Sequence, residues 1–308
     1  FPFAIRNQFN VSLSSIEAGM NMRVKLLNMQ RDFYLSALKE ADAATVKGYL
    51  FSTGDDRGAG AKFIENLLRH KIEVYRCGKT VTKAGIAYGP SDSYFVPARQ
   101  KEYRFVRALF ETVKTFSDTV FYDISTWVMP MAFNLSYTSL AANETAGMAG
   151  ERVTTPPFPA GVLNGTGKDY AWLFEWNDTY APKALYMLQS AGLTARVATA
   201  PFTAVMSDGK KRSFGYGTIM IQQEENPPAV AEVTETLRKV AEECGITVYG
   251  VSTGLTPSGI DLGSGGFTVL SKPSVMLVID EGTAVDDAGE IWHLLDTRYG
   301  MPVTLISP

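Results

Sequence analysis

The stretch SVMLVIDEGTAVDDAGEIWHLLDTRYGMPVTLI, residues 274 to 306, decides the predicted fold class. It is typical of an apolar strand, an acidic turn, an amphipathic helix and a second strand. Strands and helices alternate in the same way over most of the upstream sequence. This order predicts an α/β fold, with mostly parallel sheets that are covered by helices on both faces.

The same order of elements occurs twice before that stretch. The first copy starts at VKGYLF (46–51), and the second starts at YAWLFEW (170–176). Tyr49 falls on Tyr170 and Leu67 falls on Leu188, an offset of 121 residues in both cases. Self-similarity at a constant offset indicates repetition. The sequence therefore predicts an internally duplicated β-α-β-β-α unit, with a small insertion in the second copy before Phe214-Gly215.

These patterns divide the chain into four regions. Residues 1–45 are predicted to be helical, and residues 46–138 form the first α/β unit, which includes a strand at 119–123. Residues 139–168 are rich in Gly, Ala, Thr and Pro and lack a period, so we expect an irregular surface excursion. Residues 169–308 form the second α/β unit together with the final strand, helix and strand.

Composition excludes two classes of function. The formal net charge is -3 and charged residues make up 20% of the 308 residues. No basic surplus is available to bind nucleic acid. No apolar run reaches the roughly 18 residues that a membrane span needs. The densest basic run, Lys210-Lys211-Arg212, follows Asp208-Gly209 and is predicted to be a solvated turn.

The candidate binding residues lie in and after the acidic turn of the closing stretch. Asp280 and Glu281 follow its first strand, where α/β enzymes often hold their chemistry. Glu290, His293 and Asp296 recur every three residues and therefore share a helix face. One imidazole between two carboxylates could hold a weakly bound cation. Asp280, Glu281, Glu290 and His293 are kept as binding candidates, with no catalytic or metal-binding residue assigned.

A structural role for this helix competes with the functional one. Trp292, Leu295 and Tyr299 recur at helical spacing and are predicted to be buried against the strand at 274–279. His293 would then lie at the boundary, bonded to a carboxylate or a carbonyl oxygen.

Other chemical motifs favour structural interpretations. His70-Lys71-Ile72-Glu73 spells His-x-x-Glu, but catalytic zinc needs three protein ligands and His293 is the other histidine of the chain. Cys77 and Cys244 lack metal or redox spacing, so they are predicted to be buried small hydrophobes. DLGSGG (261–266) precedes a strand-like segment and not a helix, which excludes the dinucleotide fingerprint.

Several long passages resemble a known family. FAIRNQ (3–8) with FYLSAL (33–38) resembles the close of the peptidase domain in a bacterial branch of the zinc carboxypeptidase family. The passages at 48–76, 93–111 and 261–307 resemble the class I glutamine-amidotransferase-like (flavodoxin-like) region that follows that domain. The resemblance covers essentially the whole chain and includes no catalytic motif.

The resemblance implies an accessory role. In the family, a His-x-x-Glu motif and a distal His bind zinc and a Glu is the general base; all would lie upstream of Phe1. Zinc is therefore expected only in that upstream domain, and no cofactor is expected in this chain. The chain would pack on its own peptidase domain in a secreted or periplasmic protein, with peptide substrate as a candidate ligand.

Two alternatives stay open on the sequence alone. The chain could be an independent hydrolase or amidase that uses Asp280, Glu281 and His293. It could also be a binding protein for a small sugar or peptide in the cleft between the two units.

Overall fold

The computed structural model describes residues 1–54, 56–112, 128–226 and 230–307. The strand predicted at 119–123 lies outside these residues. The chain forms two compact units: unit 1 comprises residues 1–54 and 63–156, and unit 2 comprises residues 55–62 and 157–308. Within the described residues, no helix combines the length and the apolar character that crossing a membrane requires.

The described helices include one long N-terminal helix and six shorter ones. They are α1 (Pro2–Ala43), α2 (Arg57–Arg69), α3 (Tyr103–Phe110), α4 (Met129–Ala132), α5 (Ala181–Ser190), α6 (Val230–Cys244) and α7 (Val285–Trp292), which continues as a π-helical turn (His293–Arg298).

The strands of unit 1 are β1 (Val46–Ser52), β2 (Tyr75–Cys77), β3 (Val81–Lys83), β4 (Ile86–Tyr88), β5 (Ser93–Pro97), β6 (Ser136–Ala141) and β7 (Ala149–Arg152). Those of unit 2 are β8 (Val162–Asn164), β9 (Ala171–Phe174), β10 (Ala195–Ala198), β11 (Phe202–Val205), β12 (Lys211–Phe214), β13 (Ile219–Gln222), β14 (Thr247–Val251), β15 (Ser258–Gly259), β16 (Phe267–Leu270), β17 (Val275–Val278) and β18 (Val303–Ile306).

Unit 1 is built on a five-stranded sheet in the order β6-β1-β5-β2-β7, in which every neighbouring pair is antiparallel. Successive side chains of a strand point to opposite faces. Tyr49 and Phe51 therefore join the core under the helices, while Leu50 joins the core on the other face. Both faces are buried, which explains why β1 reads as an unbroken apolar run.

Helices α2 and α3 pack on the same face of this sheet. The first contributes Phe63, Ile64 and Leu67, and the second contributes Val106 and Phe110 to one shared core. The opposite face carries the β3–β4 hairpin instead of a helix. The hairpin contributes Tyr88 to the second core, which also includes Cys77 and Phe95.

Unit 2 repeats this arrangement in a six-stranded sheet with the order β16-β10-β13-β9-β14-β8. Its pairs are antiparallel except β14–β8, which is parallel. Helices α5 and α6 share one core, where Trp172, Leu188 and Leu237 are fully buried. The other face is covered by the small sheet β12-β11-β15, whose Phe202 and Phe214 rings stack 5.3 Å apart.

The expectation of mostly parallel sheets with helices on both faces is wrong for the described residues. Strands β1 and β2 flank α2, and strands β9 and β10 flank α5. The two strands of each pair do run in the same direction, as a β-α-β unit requires. A hairpin then follows, and the next strand returns between them in the opposite direction. The flavodoxin-like form, which needs a parallel sheet, is not found in these two sheets.

The segment at 139–168 is also more regular than expected. It holds the end of β6 and all of β7 and β8. Strand β7 pairs with β2 at the edge of the first sheet, and β8 pairs with β14 at the edge of the second. Edge pairing of this kind leaves no apolar period in the sequence, because most of these residues face solvent.

Helix α1 confirms the helical segment predicted for residues 1–45. Only its C-terminal part is covered: its two buried residues are Ala37 and Ala41. Arg104 of α3 holds this end, because its guanidinium lies 4.4 Å from the Phe33 ring centroid and pairs with Glu40 at 2.5 Å.

The closing stretch forms the predicted strand, helix and strand, with β17 and β18 paired in parallel. The sheet is only two strands wide, too narrow to bury a whole helix face. Trp292 is accordingly 40% exposed, and Met276 is 65% exposed. The expected burial of Trp292 is therefore wrong. Tyr299 is half-buried, and its hydroxyl donates to the Thr179 carbonyl at 3.0 Å.

Candidate functional site

The tip of the β11–β12 hairpin forms one wall of a cavity in unit 2. The turn between the strands closes with a hydrogen bond from the Met206 amide to the Lys210 carbonyl at 2.8 Å. Gly209 adopts a φ of 81°, which favours glycine. The Ser207 amide donates to the Gly250 carbonyl at 2.9 Å. The tip is therefore fixed against β14.

A buried carboxylate fixes the opposite wall. Asp169 is 4% exposed, and it accepts hydrogen bonds from the amides of Thr166 and Gly167, both at 3.0 Å. The hydroxyls of Thr166 and Ser207 donate to it as well. A buried charge is tolerated when donors surround it. Asp169 thus ties the loop after β8 to the hairpin tip.

The hydrogen bonds of Asp169 require the backbone at two glycines to approach its carboxylate closely. A methyl group added at Gly250 would lie 2.6 Å from an Asp169 carboxylate oxygen. One added at Gly165 would lie 2.6 Å from the other oxygen of the same carboxylate. Side chains at these two positions would therefore push Asp169 out of its hydrogen bonds.

The cavity between these walls has a volume of about 660 Å³. Its lining combines basic, neutral polar and apolar side chains and comprises Leu163, Asn164, Gly165, Thr166, Met206, Ser207, Asp208, Lys210, Lys211, Arg212 and Tyr249. This volume lies within the range of small-molecule sites, which are concave and mix apolar walls with a few placed polar groups. We call this space the hairpin cavity.

Arg212 is the most constrained side chain of the wall. Its guanidinium carbon lies 4.3 Å from the Tyr249 ring centroid and 5.5 Å from that of Phe214. One terminal nitrogen pairs with Glu175 at 2.5 Å. Its Nε atom is buried and has no hydrogen-bond acceptor among the described residues. Stacking and pairing fix the plane of the guanidinium, so an acceptor that reached Nε would meet a preorganised donor.

The remaining charges leave the wall basic. Lys210 pairs with Asp208 at 3.0 Å. Hydrogen bonds from the Lys210 amide and side chain hold the pKa of Asp208 below its usual value. Lys211 is exposed and has no ion-pair partner within the part of the chain that is described. The residues that line the cavity therefore include three basic residues and one acidic residue.

Most polar groups of the cavity other than the charged ones are hydroxyl and amide groups. Its lining contains neither histidine nor cysteine. Ser207 donates its hydroxyl to Asp169 without an imidazole between them, so the base that activates a serine nucleophile is missing from this wall. Neutral donors and acceptors from Asn164 and Thr166 complete the polar surface.

The residues predicted from the acidic turn lie at the surface of unit 2. Asp280, Glu281, Glu290 and His293 are all exposed. Asp280 has a φ of 77° and accepts a hydrogen bond from the Ser307 hydroxyl. Within the described residues, no hydrogen bond or ion pair joins any two of the four. A smaller apolar cavity of about 240 Å³ touches Asp280 alone among them.

The other sequence motifs have structural partners. His70 lies against the Phe105 ring, with centroids 4.7 Å apart, while Glu73 pairs with Arg152 at 3.3 Å. In the described residues, no group of three potential metal ligands comes together. Cys77 and Cys244 are free and buried, as predicted, and burial raises the pKa of the Cys244 thiol to about 12.

Two aspartates lie just before helices α2 and α5. Asp56 accepts from the Ala59 amide at 2.9 Å and so caps the start of α2. It also accepts from the amide and the hydroxyl of Thr179. Burial, with Asp56 nearby, raises the pKa of Asp178 to about 6. These carboxylates brace loops, and their hydrogen bonds are with the protein's own amides and hydroxyl.

The sequence did contain one signal for the hairpin cavity. Thr82 matches Thr203 at an offset of 121, whereas Tyr88 matches Phe214 at an offset of 126. Five extra residues thus lie within the second hairpin, and this insertion carries Asp208, Lys210 and Lys211 into the cavity wall. The prediction of a solvated turn agrees with the exposure of Lys211. It did not include the cavity that the same turn lines.

Comparisons of this chain with protein-family models, with curated proteins and with solved structures find no significant match.

Proposed function

We propose that this chain is the non-catalytic, amidotransferase-like accessory portion of a secreted or periplasmic zinc-carboxypeptidase-like protein. In this proposal it packs on the peptidase domain of the same protein, which would hold the zinc ion. The observation that carries the packing role is the exposed apolar surface of α1. The identity of the partner comes from the sequence resemblance.

Helix α1 exposes many large apolar side chains over its first 35 residues, interspersed with polar ones. Between Asn7 and Met22, Glu17 is the one charged residue. The large side chains exposed along the helix include Phe3, Ile5, Phe9, Val11, Leu13, Ile16, Met20, Val24, Leu27 and Met29. Exposed apolar side chains in this number along one helix are a surface that a protein partner normally covers. A partner that covers more than one side of α1 would satisfy this requirement.

Co-purification tests the packing role. The chain is co-expressed with the peptidase domain from the same reading frame, and the complex is measured by sedimentation. Ile16→Glu with Met20→Glu is expected to abolish the complex, because two charges would be buried in an apolar interface. Asn21→Glu, on the same helix, is the matched control and is expected to leave the complex intact. A complex that survives the double change, or no complex with the wild type, contradicts the proposal.

The proposal assigns no catalysis to this chain. Peptide hydrolysis by zinc needs a ligand triad. We expect the isolated chain to release no C-terminal residue from peptides when zinc is added. Zinc-dependent release that His70→Ala abolishes would contradict this expectation. The alternative hydrolase built on Asp280, Glu281 and His293 gains no support from their separate, exposed positions.

We further infer that the two units are copies of one ancestral module. In unit 1 the return strand β5 lies between β1 and β2, and in unit 2 the return strand β13 lies between β9 and β10. Further strands extend each sheet on both sides. A buried amide side chain supports the match. Gln100 accepts from the Glu73 amide at 2.8 Å and donates to the Pro97 carbonyl at 2.7 Å. Asn226 makes the same two bonds, with Thr194 and Gln222, both at 2.7 Å.

The turns after the first helices match as well. The Ile72 amide donates to the Leu67 carbonyl at 3.0 Å, and the Leu193 amide donates to the Leu188 carbonyl at 3.1 Å. Each turn passes through a left-handed residue, Lys71 in the first and a glycine in the second. These pairs share the offset of 121 residues on which the duplication hypothesis rests.

A second candidate function is the binding of a small sugar or peptide, and the hairpin cavity favours it. The test is a titration of isotope-labelled protein with a panel of monosaccharides and N-acetylated dipeptides, followed by amide NMR. Shifts are expected in the loop after β8 (164–166) and in the hairpin tip (206–212). Shifts that are absent, or that lie only outside these segments, count against a ligand site in this cavity.

A further inference from the structure

We infer that a cavity at the β6 edge of unit 1 binds a small neutral molecule rich in hydroxyl groups, such as a monosaccharide or another polyol. The cavity has a volume of about 430 Å³ and is lined by residues of α3, β1 and β6. We call it the tyrosine cavity, because Tyr49, Tyr103 and Tyr137 line it. The inference concerns a different unit from the hairpin cavity and does not depend on a ligand there.

The strand register places the sheet residues of this cavity on one face. Tyr49 of β1 is paired with Ser139 of β6, and Phe51 is paired with Tyr137. Directly paired residues of neighbouring strands have their side chains on the same face. Tyr49 and Phe51 face the helices, since both belong to the core that α2 and α3 cover, and Tyr137 packs against that core. Ser139 therefore lies on the α3 side of the sheet as well.

Helix α3 supplies the opposite wall from one of its faces. Tyr103, Arg107 and Phe110 recur at i, i+4 and i+7, the spacing of residues on a single helix face. Phe110 stacks on Tyr49, with ring centroids 4.6 Å apart. Arg107 pairs with Glu111 at 3.1 Å, and its guanidinium also lies beside the Tyr103 hydroxyl. The side chains of this helix face and of the sheet face therefore meet around the same space.

The Tyr49 hydroxyl is the group that most needs a ligand. Tyr49 is only 6% exposed, and its hydroxyl has no hydrogen-bond partner within the described residues. This oxygen is not among the unpaired atoms that lack accessible surface, so a ligand in the cavity that Tyr49 lines can reach it. Burial raises the pKa of Tyr49 to about 12, so the phenol stays protonated at neutral pH and can both donate and accept. A ligand hydroxyl would supply the partner that the protein does not.

The rest of the lining favours a neutral ligand that carries hydroxyl groups. Arg107 and Glu111 are the one basic and the one acidic residue of the lining, and they pair with each other, which leaves no net charge to attract an ion. Hydroxyl groups both donate and accept, as the hydroxyls of a polyol do. Phe110 adds an apolar surface for the C–H groups of such a ligand. The residues that bring hydroxyls to the cavity are Thr45, Tyr49, Tyr103, Thr112, Tyr137 and Ser139.

Titration of the isotope-labelled protein, followed by amide NMR, tests the inference. D-glucose and myo-inositol are the neutral probes, and D-glucuronate and D-glucosamine are the charged counterparts of glucose. At least one neutral probe is expected to shift the amides of 44–49, 107–112 and 137–139. Both charged probes should bind more weakly than glucose, because a charge would lose its hydration without gaining a partner of opposite sign. Shifts at 164–166 and 206–212 would report on the hairpin cavity instead.

Substitutions assign the effect to residues. Tyr49→Phe removes the buried hydroxyl and keeps the ring, and it should weaken binding of the neutral probe about three- to tenfold, the effect of one hydrogen bond. Its melting temperature should be no lower than that of the wild type, because the hydroxyl has no partner in the protein. Tyr88→Phe is the matched control, since Tyr88 is buried in the core on the opposite face of the sheet, and it should not change the affinity. Ser139→Ala, at an exposed position of the lining, should weaken binding without changing the melting temperature.

Three results would overturn the inference. The first is that neither neutral probe shifts the amides around the tyrosine cavity. The second is that a charged probe binds more tightly than glucose, which would make this a site for an ion. The third is that Tyr49→Phe binds as tightly as the wild type, or loses affinity only together with a lower melting temperature. Each of these results leaves the accessory role and the hairpin cavity untouched, because their tests follow other residues.

Discussion

The β3–β4 hairpin of unit 1 and the β11–β12 hairpin of unit 2 occupy the same place in their strand order, and each covers the helix-free face of its sheet. The first turns in two residues and neutralises Lys83 with Glu144. The second has five additional residues and presents Lys210, Lys211 and Arg212 to a cavity. The core beneath the second hairpin is also larger, with Phe202, Phe214 and Phe267 packed together. The difference teaches that hairpins at the same place in a strand order can differ in length and charge while the order of the strands stays the same.

The largest expected effect comes from testing whether the two cores are equivalent. Phe51 and Trp172 are fully buried on the helix-covered faces of their sheets. Replacing either with Ala should reduce the free energy of unfolding of its unit by about 3 to 5 kcal/mol, because each leaves a large cavity. Urea denaturation followed by fluorescence and circular dichroism gives the values. A loss below about 1 kcal/mol at one position alone would break the comparison.

The matching amide side chains allow a sharper test. Gln100→Ala and Asn226→Ala each remove the acceptor of a backbone amide, that of Glu73 or Thr194. Each change should cost about 1 to 3 kcal/mol, since a partly buried donor is left unsatisfied. Gln30→Ala on exposed α1 is the control and should be nearly neutral. Unequal losses at Gln100 and Asn226 would argue that the two bonds are not equivalent.

The next largest effect is a dependence of the stability of unit 2 on pH, which comes from Asp178. Burial raises its pKa from 3.8 to about 6. Between these values the unfolded chain releases the proton first, so stability is fully present below about pH 4 and is lost as the pH rises to about 6. The loss is on the order of 1 kcal/mol after allowance for solvent screening. Urea midpoints for Asp178→Asn should lack this loss.

Asp208→Asn provides a control of opposite sign. The pKa of Asp208 is lowered by bonds from Lys210, so its contribution is present above the unfolded pKa and is lost as the pH falls. A wild-type profile that falls with rising pH between 4 and 6 and matches the profile of Asp178→Asn would remove Asp178 as its cause.

The smallest expected effects lie in the exposed closing helix. His293 is exposed and Trp292 is 40% exposed. His293→Ala should change stability within about 0.5 kcal/mol. Trp292→Ala should cost more than that but less than the 3 to 5 kcal/mol typical of a fully buried tryptophan. Neither should alter ligand binding in the hairpin cavity. A loss of binding with intact melting in His293→Ala would return this helix to the list of functional sites.

Much of the secondary structure could be predicted from the sequence because local signals were strong. The apolar run SYFVP predicts a strand at 93–97, and β5 occupies these residues. The segments 181–192 and 229–244 are predicted to be helical, and α5 and α6 end within two residues of these bounds. Buried thiols followed from the absence of any metal or redox spacing.

The direction of the strands could not be predicted in the same way. An apolar run shows that a strand is buried on both faces, but the run is the same whether its neighbours are parallel or antiparallel. The return strand that decides the matter follows a hairpin of three-residue strands, β3 and β4, too short to show a period. Edge strands β7 and β8 are defined by pairing with distant residues, which local pattern does not contain.

The hairpin cavity was not predicted, for a related reason. Acidic residues after a strand are a familiar signal, so Asp280 and Glu281 were chosen as candidates, and both are exposed. Lys211 and Arg212 read as an ordinary polar turn. They line a cavity only together with Tyr249 and Asn164, which belong to distant parts of the sequence. The length difference between the hairpins was the one local clue.

The two buried thiols can report how often the core of each unit opens. Cys77 lies in a core of unit 1 and Cys244 lies in the helix-covered core of unit 2. A thiol reacts as the thiolate, and burial raises the pKa of both groups. An alkylating reagent can therefore modify either one only when the surrounding core opens. Mass spectrometry of the two tryptic peptides during alkylation would record how often each unit opens in the native protein, without any introduced label.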